Sequence, residues 1–292
     1  MGETVNRYRT IFLSDFHLGS LSCKADAILD FLKDNESDQL YLVGDVVDGW
    51  ALRRKWYWPQ EHNDVIQKVL RKARKGTRVV YIPGNHDEFA RQFLDTAFGG
   101  ISIKQNAIHT AANGNQFLVL HGDEFDGVIR HAPWLSKIGA RLYDSLLRIN
   151  RYLNMIRSWF GMSYWSLSAY LKGKTKKAVQ FVARFEDVVI ESARQYEVDG
   201  VICGHIHSAE YREADGLIYA NSGDWVESCT ALVEHMDGRL EIVHWPVTPQ
   251  DKQRRPNTTK TTNTNGSSNG STEKPSLNRS SVMEELFETA TA

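Results

Sequence analysis

Five short apolar runs in this chain end in the same kind of residue. The run at 10–14 is followed by Asp15 and His17, in SDFHLG. The run at 40–43 opens into GDVVD, which contributes Asp45 and Asp48, and 78–82 opens into GNHDE, with Asn85, His86 and Asp87. The run at 117–120 reaches His121, in HGDEFD, and 201–203 reaches GHIH, with His205 and His207. Carboxylates, imidazoles and a carboxamide at the carboxyl ends of apolar strands stand where open α/β sheets build their ligand sites. Residues 24–33 and 64–75 have helical spacing with polar outer faces, and further strands are expected at 217–220, 230–234 and 240–244. This alternation predicts an α/β fold around a largely buried sheet.

The residue types narrow the chemistry. Imidazole and carboxylate together suit borderline divalent ions such as Mn²⁺, Fe²⁺ and Zn²⁺, and no thiolate belongs to the set. Gly44, Gly84, Gly122 and Gly204 flank the ligand types and permit close backbone approach. So many ligand-type residues are too many for one ion and suit two that share a carboxylate. Two ions roughly 3.5–4 Å apart clamp the attacking and leaving oxygens in phosphate-ester hydrolysis.

The ordered set DxH, GDxxD, GNHD, H and GHxH resembles the calcineurin-like metallophosphoesterase superfamily, and it spans Asp15 to His207. The resemblance implies a two-sheet β-sandwich flanked by helices, within an α/β class. It implies one metal held by Asp15, His17 and His207 and a second held by Asn85, His121 and His205, with Asp45 bridging them. It places the catalytic imidazole on His86, oriented by Asp87. Asp48 is either an acceptor that orients a ligand or the cap of the turn after Gly44. Asp123 and Asp126 stand near enough to His121 to touch metal or substrate, or simply to close a turn. NSGDW, at 221–225, is either part of the site rim or a plain turn. His62, His109, His131, His235 and His244 lie outside the motifs and are expected in the core or on the surface.

Net charge is −1, which excludes a uniformly basic coat for nucleic acid. Residues 130–177 nevertheless hold ten Lys/Arg against one acid, Asp144, while the rest of the chain before 251 holds 19 bases and 30 acids. Leu135, Ile138, Leu142, Leu146, Ile149, Leu153 and Ile156 repeat at three and four residues, an amphipathic helical pattern with Lys137, Arg141, Arg148 and Arg151 off the stripe. Eight aromatic residues accompany these bases. A helical cap insertion over 130–177 accounts for the stripe, and basic residues beside Trp and Tyr suit an anionic membrane surface. Residues 251–292 form a tail; its 251–281 stretch holds nineteen Ser/Thr/Asn/Gly and one large aliphatic, Leu277, so disorder is expected there. A phosphoesterase domain is therefore expected over 1–250. Three cysteines without paired spacing suit a reducing cytoplasm.

The insertion between HGD and GHxH, with Trp50 soon after the second motif, is similar to the UDP-2,3-diacylglucosamine pyrophosphatase subgroup. That resemblance implies an Mn²⁺-dependent hydrolase, peripheral on the cytoplasmic face of the inner membrane, that splits a nucleotide-lipid into UMP and an acylated sugar 1-phosphate. Trp50, Arg141, Arg148 and Arg157 are then candidate substrate contacts. The subgroup's best-known members carry Arg where this chain has His86, which keeps a related nucleotide-lipid or another phosphodiester open as substrate. A soluble phosphodiesterase or phosphatase acting on nucleotides or nucleic acid is the alternative, although nucleic acid is not the expected partner. A non-catalytic scaffold ranks last, because every ligand type is present.

Overall fold

Ile11, Phe12 and Leu13 are consecutive and all buried, so the strand that carries them must be covered on both faces. A computed structural model describes residues 5–126, 154, 157, 176–214 and 216–246. In it β1 (Asn6–Leu13) is followed by α1 (Ala25–Asp34), β2 (Asn35–Val43), α2 (Gly49–Arg54), α3 (Gln60–Arg74) and β3 (Arg78–Ile82). Next come β4 (Ala97–Phe98), β5 (Ile101–Ile103), β6 (Ala107–Thr110) and β7 (Gln116–Val119). After them come α4 (Lys176–Gln195), β8 (Gly200–Cys203), β9 (Glu210–Ala214), β10 (Leu217–Asn221), β11 (Thr230–Glu234) and β12 (Leu240–His244).

The strands form two sheets, in the orders β12-β11-β1-β2-β3-β5-β4 and β6-β7-β8-β10-β9. Alternation along β1 divides the core. Ile11 and Leu13 point to the helical side, where Ile28 and Phe31 of α1 and Val65 and Val69 of α3 cover them. Phe12 points the other way, into an inter-sheet layer with Val43, Ile82, Phe117, Val119, Ile202 and Leu232. On the outer face of the second sheet, α4 packs Phe185, Val189 and Ala193 against Leu118, Val201 and Tyr219. Each such buried apolar side chain contributes about 1.5–3 kcal/mol, against about 0–1 kcal/mol for a surface ion pair. The three apolar layers therefore hold the fold. This is the α/β architecture of two sheets flanked by helices that the motifs imply.

Topology then places the site. β1, β2 and β3 are parallel neighbours, as are β7, β8 and β10, so each sheet gathers three carboxyl ends on one edge. The ligand-type loops leave from those ends. Strands expected at 78–82, 230–234 and 240–244 match β3, β11 and β12, and the helices expected at 24–33 and 64–75 are α1 and α3 with slightly different ends. The edge strands β4, β6 and β9, the short strand β5 and the helices α2 and α4 were not anticipated. Most of the 130–177 insertion, with Arg141 and Arg148, and all of the 251–292 tail lie outside the described residues.

Candidate metal centre

The backbone at this edge is strained where the ligand types stand. Eight described non-glycine residues have positive φ, and five of them are Asp15, His17, Asp45, His205 and His207, with φ from 52° to 71°. Left-handed backbone costs roughly 1–3 kcal/mol per residue and persists only where the surroundings enforce it. Enforcement comes from loop-to-loop bonds: Asp15 N donates to Gly44 O (3.0 Å), His17 N to Asp45 O (2.9 Å) and Trp225 N to Asp15 O (3.1 Å). Two glycines admit the neighbours. A Cβ on Gly44 would lie 2.0 Å from His121 Nδ1, and one on Gly84 would lie 2.3 Å from Asp45 Oδ1.

The side chains converge. His207 Nε2 lies 3.1 Å from Asp15 Oδ1 and 3.2 Å from His17 Nε2, which is itself 3.9 Å from Asp15 Oδ1 and from Asp45 Oδ2. His121 Nε2 lies 3.4 Å from Asp45 Oδ2. Asp15, His17 and His207 offer ligand atoms within 4.8 Å of one another, as do Asp45, His121 and His205, and as do His17, Asp45 and His86. Three buried atoms here have no hydrogen-bond partner: Asp15 Oδ1, Asn85 Oδ1 and His121 Nε2. A buried polar atom left unsatisfied costs about 1–3 kcal/mol. Each of the three is one on which the motifs place a metal, so the donor set fits two cations that share Asp45.

Electrostatics agree with that fit. Burial alone would favour neutral forms throughout, yet Asp45 is held well below the usual carboxylate range by the imidazoles of His121, His86 and His17. Burial likewise opposes charge on His17, but a hydrogen bond to Asp48 and the charges of Asp45, Asp48 and Asp15 raise it to about 9. His121 is raised too, against its burial, chiefly by the charge of Asp45. Without metal, protons on imidazole balance the clustered carboxylates, and an incoming cation displaces them.

One expected role moves to a different residue. Asp87 does not orient His86. Its carboxylate turns back into the protein and accepts from the backbone N–H of Asp45 (3.3 Å), Val46 (2.7 Å), Val47 (3.3 Å) and Gly84 (2.6 Å), and from the Tyr81 hydroxyl (2.6 Å). Asp87 thus fastens the loops that carry Asp45 and Asn85. The partner of His86 is Asp48, which accepts from His86 Nδ1 at 3.0 Å and lies 3.4 Å from His17 Nδ1. Asp48 also caps α2 by accepting from Ala51 N at 2.7 Å, so both readings of this residue hold. Trp50, 38% exposed, packs against the His86 ring with centroids 4.2 Å apart and the planes tilted by 34°, which puts an aromatic side chain beside the site. Arg157 is half-buried.

Several positioning residues escaped the motif reading. Asn221 Nδ2 donates to Gly204 O at 2.7 Å and Ser222 Oγ lies 2.7 Å from Ser14 Oγ, so NSGDW is a buried turn that braces two ligand loops. Asp224 closes that turn by accepting from Val226 N at 2.8 Å. His62 Nδ1 accepts from Gly19 N at 2.9 Å, and burial lowers its pKa to about 4, which keeps it a neutral acceptor. His109 is likewise a core residue, paired with Glu234. Position in the turn after GHIH was the only signal for Asn221. None marked His62.

Known proteins resemble this chain in sequence and in fold. The family model for calcineurin-like phosphoesterases matches residues 8–209. A UDP-2,3-diacylglucosamine hydrolase from Pectobacterium carotovorum is 23% identical over 250 residues, covering 81% of this chain and 99% of that protein. A DNA polymerase II small subunit from Methanothermobacter thermautotrophicus is 24% identical over 254 residues, covering 74% of this chain. The chain spans about half of that second relative, 47% of its length. Among solved structures, a hypothetical protein from Pyrococcus horikoshii superposes with a TM-score of 0.43 at 9% identity, covering 84% of this chain and 90% of that one.

Proposed function

Because the chain belongs to the calcineurin-like phosphoesterase family, and is thereby a metal-dependent phosphoester hydrolase, we propose that it hydrolyses the pyrophosphate of UDP-2,3-diacylglucosamine or a related nucleotide-lipid. The products are UMP and an acylated sugar 1-phosphate. The observation that carries the chemistry is the set of orphaned ligand atoms on Asp15, Asn85 and His121 around a shared Asp45. The relative that supports the substrate is matched along 99% of its length. Asp15, His17 and His207 would hold one divalent ion, and Asn85, His121 and His205 the other, with Mn²⁺ favoured over Fe²⁺ or Zn²⁺. Such a pair, when bound, supplies Lewis-acid polarisation of the phosphoryl oxygens and a nucleophile at neutral pH.

The chain's own groups do the rest. His86 donates Nδ1–H to Asp48 and keeps Nε2 for the substrate, where it protonates the leaving oxygen or stabilises its charge. Trp50 packs against that ring. The basic, aromatic sequence at 130–177 supports peripheral attachment to an anionic membrane, and Arg141, Arg148 and Arg157 are its candidate contacts to the acylated substrate. Among the described residues no helix is long and apolar enough to cross a membrane. Having His86 in place of the subgroup's Arg favours one competing reading, a soluble phosphodiesterase. A hydrolysis screen with Mn²⁺ against UDP-2,3-diacylglucosamine, bis-p-nitrophenyl phosphate and single-stranded nucleic acid separates the two. Release of UMP as the fastest reaction supports the proposal, and turnover of the diester or nucleic acid alone overturns it.

A further inference from the structure

One carboxylate near the centre has no part in the ligand set. Asp126 follows His121 by five residues, and its Oδ1 lies 3.0 Å from His205 Nε2. A carboxylate can only accept here, so Nε2 carries the proton and Nδ1 is the ring nitrogen left for an ion. We propose that Asp126 is a positioning residue of the metal centre, one that fixes His205 in its Nε2–H form and presents Nδ1 to the cation shared with Asp45 and His121. The inference rests on the dinuclear reading above and deepens it.

Three observations carry the assignment. The same device already operates on the neighbouring ligand: His121 Nδ1 donates to Val43 O at 2.9 Å, which leaves Nε2 as the orphaned atom. Oxygen acceptors on the far nitrogen are how metal-binding imidazoles are generally held. The turn that carries Asp126 is anchored at its start. Arg91 Nη2 donates to both oxygens of Asp123, at 2.8 and 2.7 Å, and to Pro83 O at 3.3 Å, which ties the Asp123–Phe125 turn to the GNHD loop. The His205 ring is confined on other sides by His121, with centroids 5.1 Å apart, and by Phe185 of α4, at 5.9 Å. Asp126 is not among the residues whose ligand atoms cluster with Asp45 and His121, which separates orienting a ligand from being one.

The test is metal titration of the metal-free protein with Mn²⁺ by calorimetry, for the parent, Asp126→Ala, Asp126→Asn and His205→Ala. Removing an outer partner of a ligating imidazole costs roughly 10–100-fold in affinity. The expected result is a weakening of that order for one of two ions in Asp126→Ala, with two ions still bound at saturation. Asp126→Asn, which keeps an acceptor oxygen, recovers part of the loss, while His205→Ala binds a single ion. In the Zn²⁺-loaded parent, long-range ¹H–¹⁵N correlation should show His205 protonated at Nε2. Unchanged affinity in Asp126→Ala, or an Nδ1–H ring, overturns the inference. Loss of a whole ion in both Asp126 variants also overturns it, because Asp126 is then a ligand. A parent that fails to bind two ions overturns the proposed function together with this inference.

Discussion

Two buried clusters in this molecule use the same side-chain chemistry to opposite ends. At the far end of β11, Glu234 is fully buried beside His109, and every oxygen it offers is engaged. Oε1 accepts from Arg9 Nη1 (2.7 Å) and Ala112 N (2.8 Å), and Oε2 from Thr10 Oγ1 (2.6 Å) and His109 Nε2 (2.9 Å). At the strand ends, Asp15 Oδ1, Asn85 Oδ1 and His121 Nε2 are buried without a hydrogen bond, and Asp15 stands on left-handed backbone. A buried carboxylate–imidazole pair is thus no sign of function by itself. What separates a structural pair from a metal centre is whether the polar atoms are already satisfied by protein.

Breaking the comparison at its functional side gives the largest effect. Asp45→Ala should abolish hydrolysis and lower metal content to one ion or none by elemental analysis, since the carboxylate proposed to be shared by the two ions is lost. His86→Ala should keep both ions while turnover falls about 10²–10⁴-fold. A His86 variant that loses metal would instead make this ring a ligand, as its place in the third cluster allows.

On the structural side the expected signs reverse. Glu234→Ala strips the acceptor from Arg9, Thr10 and His109 and should destabilise the fold by about 3–5 kcal/mol in denaturant titration. Metal stoichiometry of the folded fraction should not change. Burial works against the charge on Glu234, but hydrogen bonds from His109, Thr10 and the Ala112 amide bring its pKa down to about 2. Its folded pKa is depressed, so its contribution is present above about pH 4.5 and is lost as pH falls through 2.

The smallest effect belongs to His62. Its pKa drops from 6.5 to about 4 on burial, so the unfolded chain takes up a proton that the folded chain refuses. Stability from this group is full above pH 6.5 and declines as pH falls toward 4. Melting temperatures of the parent and His62→Asn across that window should differ in slope, with the Asn variant flatter.

The same contrast explains what the sequence could and could not reveal. Metal chemistry demands particular side chains, so Asp15, His17, Asp45, Asn85, His121, His205 and His207 were visible as types at strand ends, and the central strands were visible as short unbroken apolar runs. The role of Asp87 and the pairing of Asp48 with His86 were hidden because they depend on direction: Asp87 turns toward the amides of 45–47, and Asp48 reaches His86 across loops. His62 and Asn221 act through backbone groups, which leave no pattern in residue types. β9 (EYREA) has no strand-like alternation and is a strand because β10 offers it an edge. The two residues of β4 are too few to carry any periodicity.

The unsatisfied atoms of Asp15, Asn85 and His121 await cations. Equilibrium dialysis of the metal-free parent against Mn²⁺, followed by elemental analysis, should return two ions per chain. One ion per chain, or none, at saturating Mn²⁺ would contradict it.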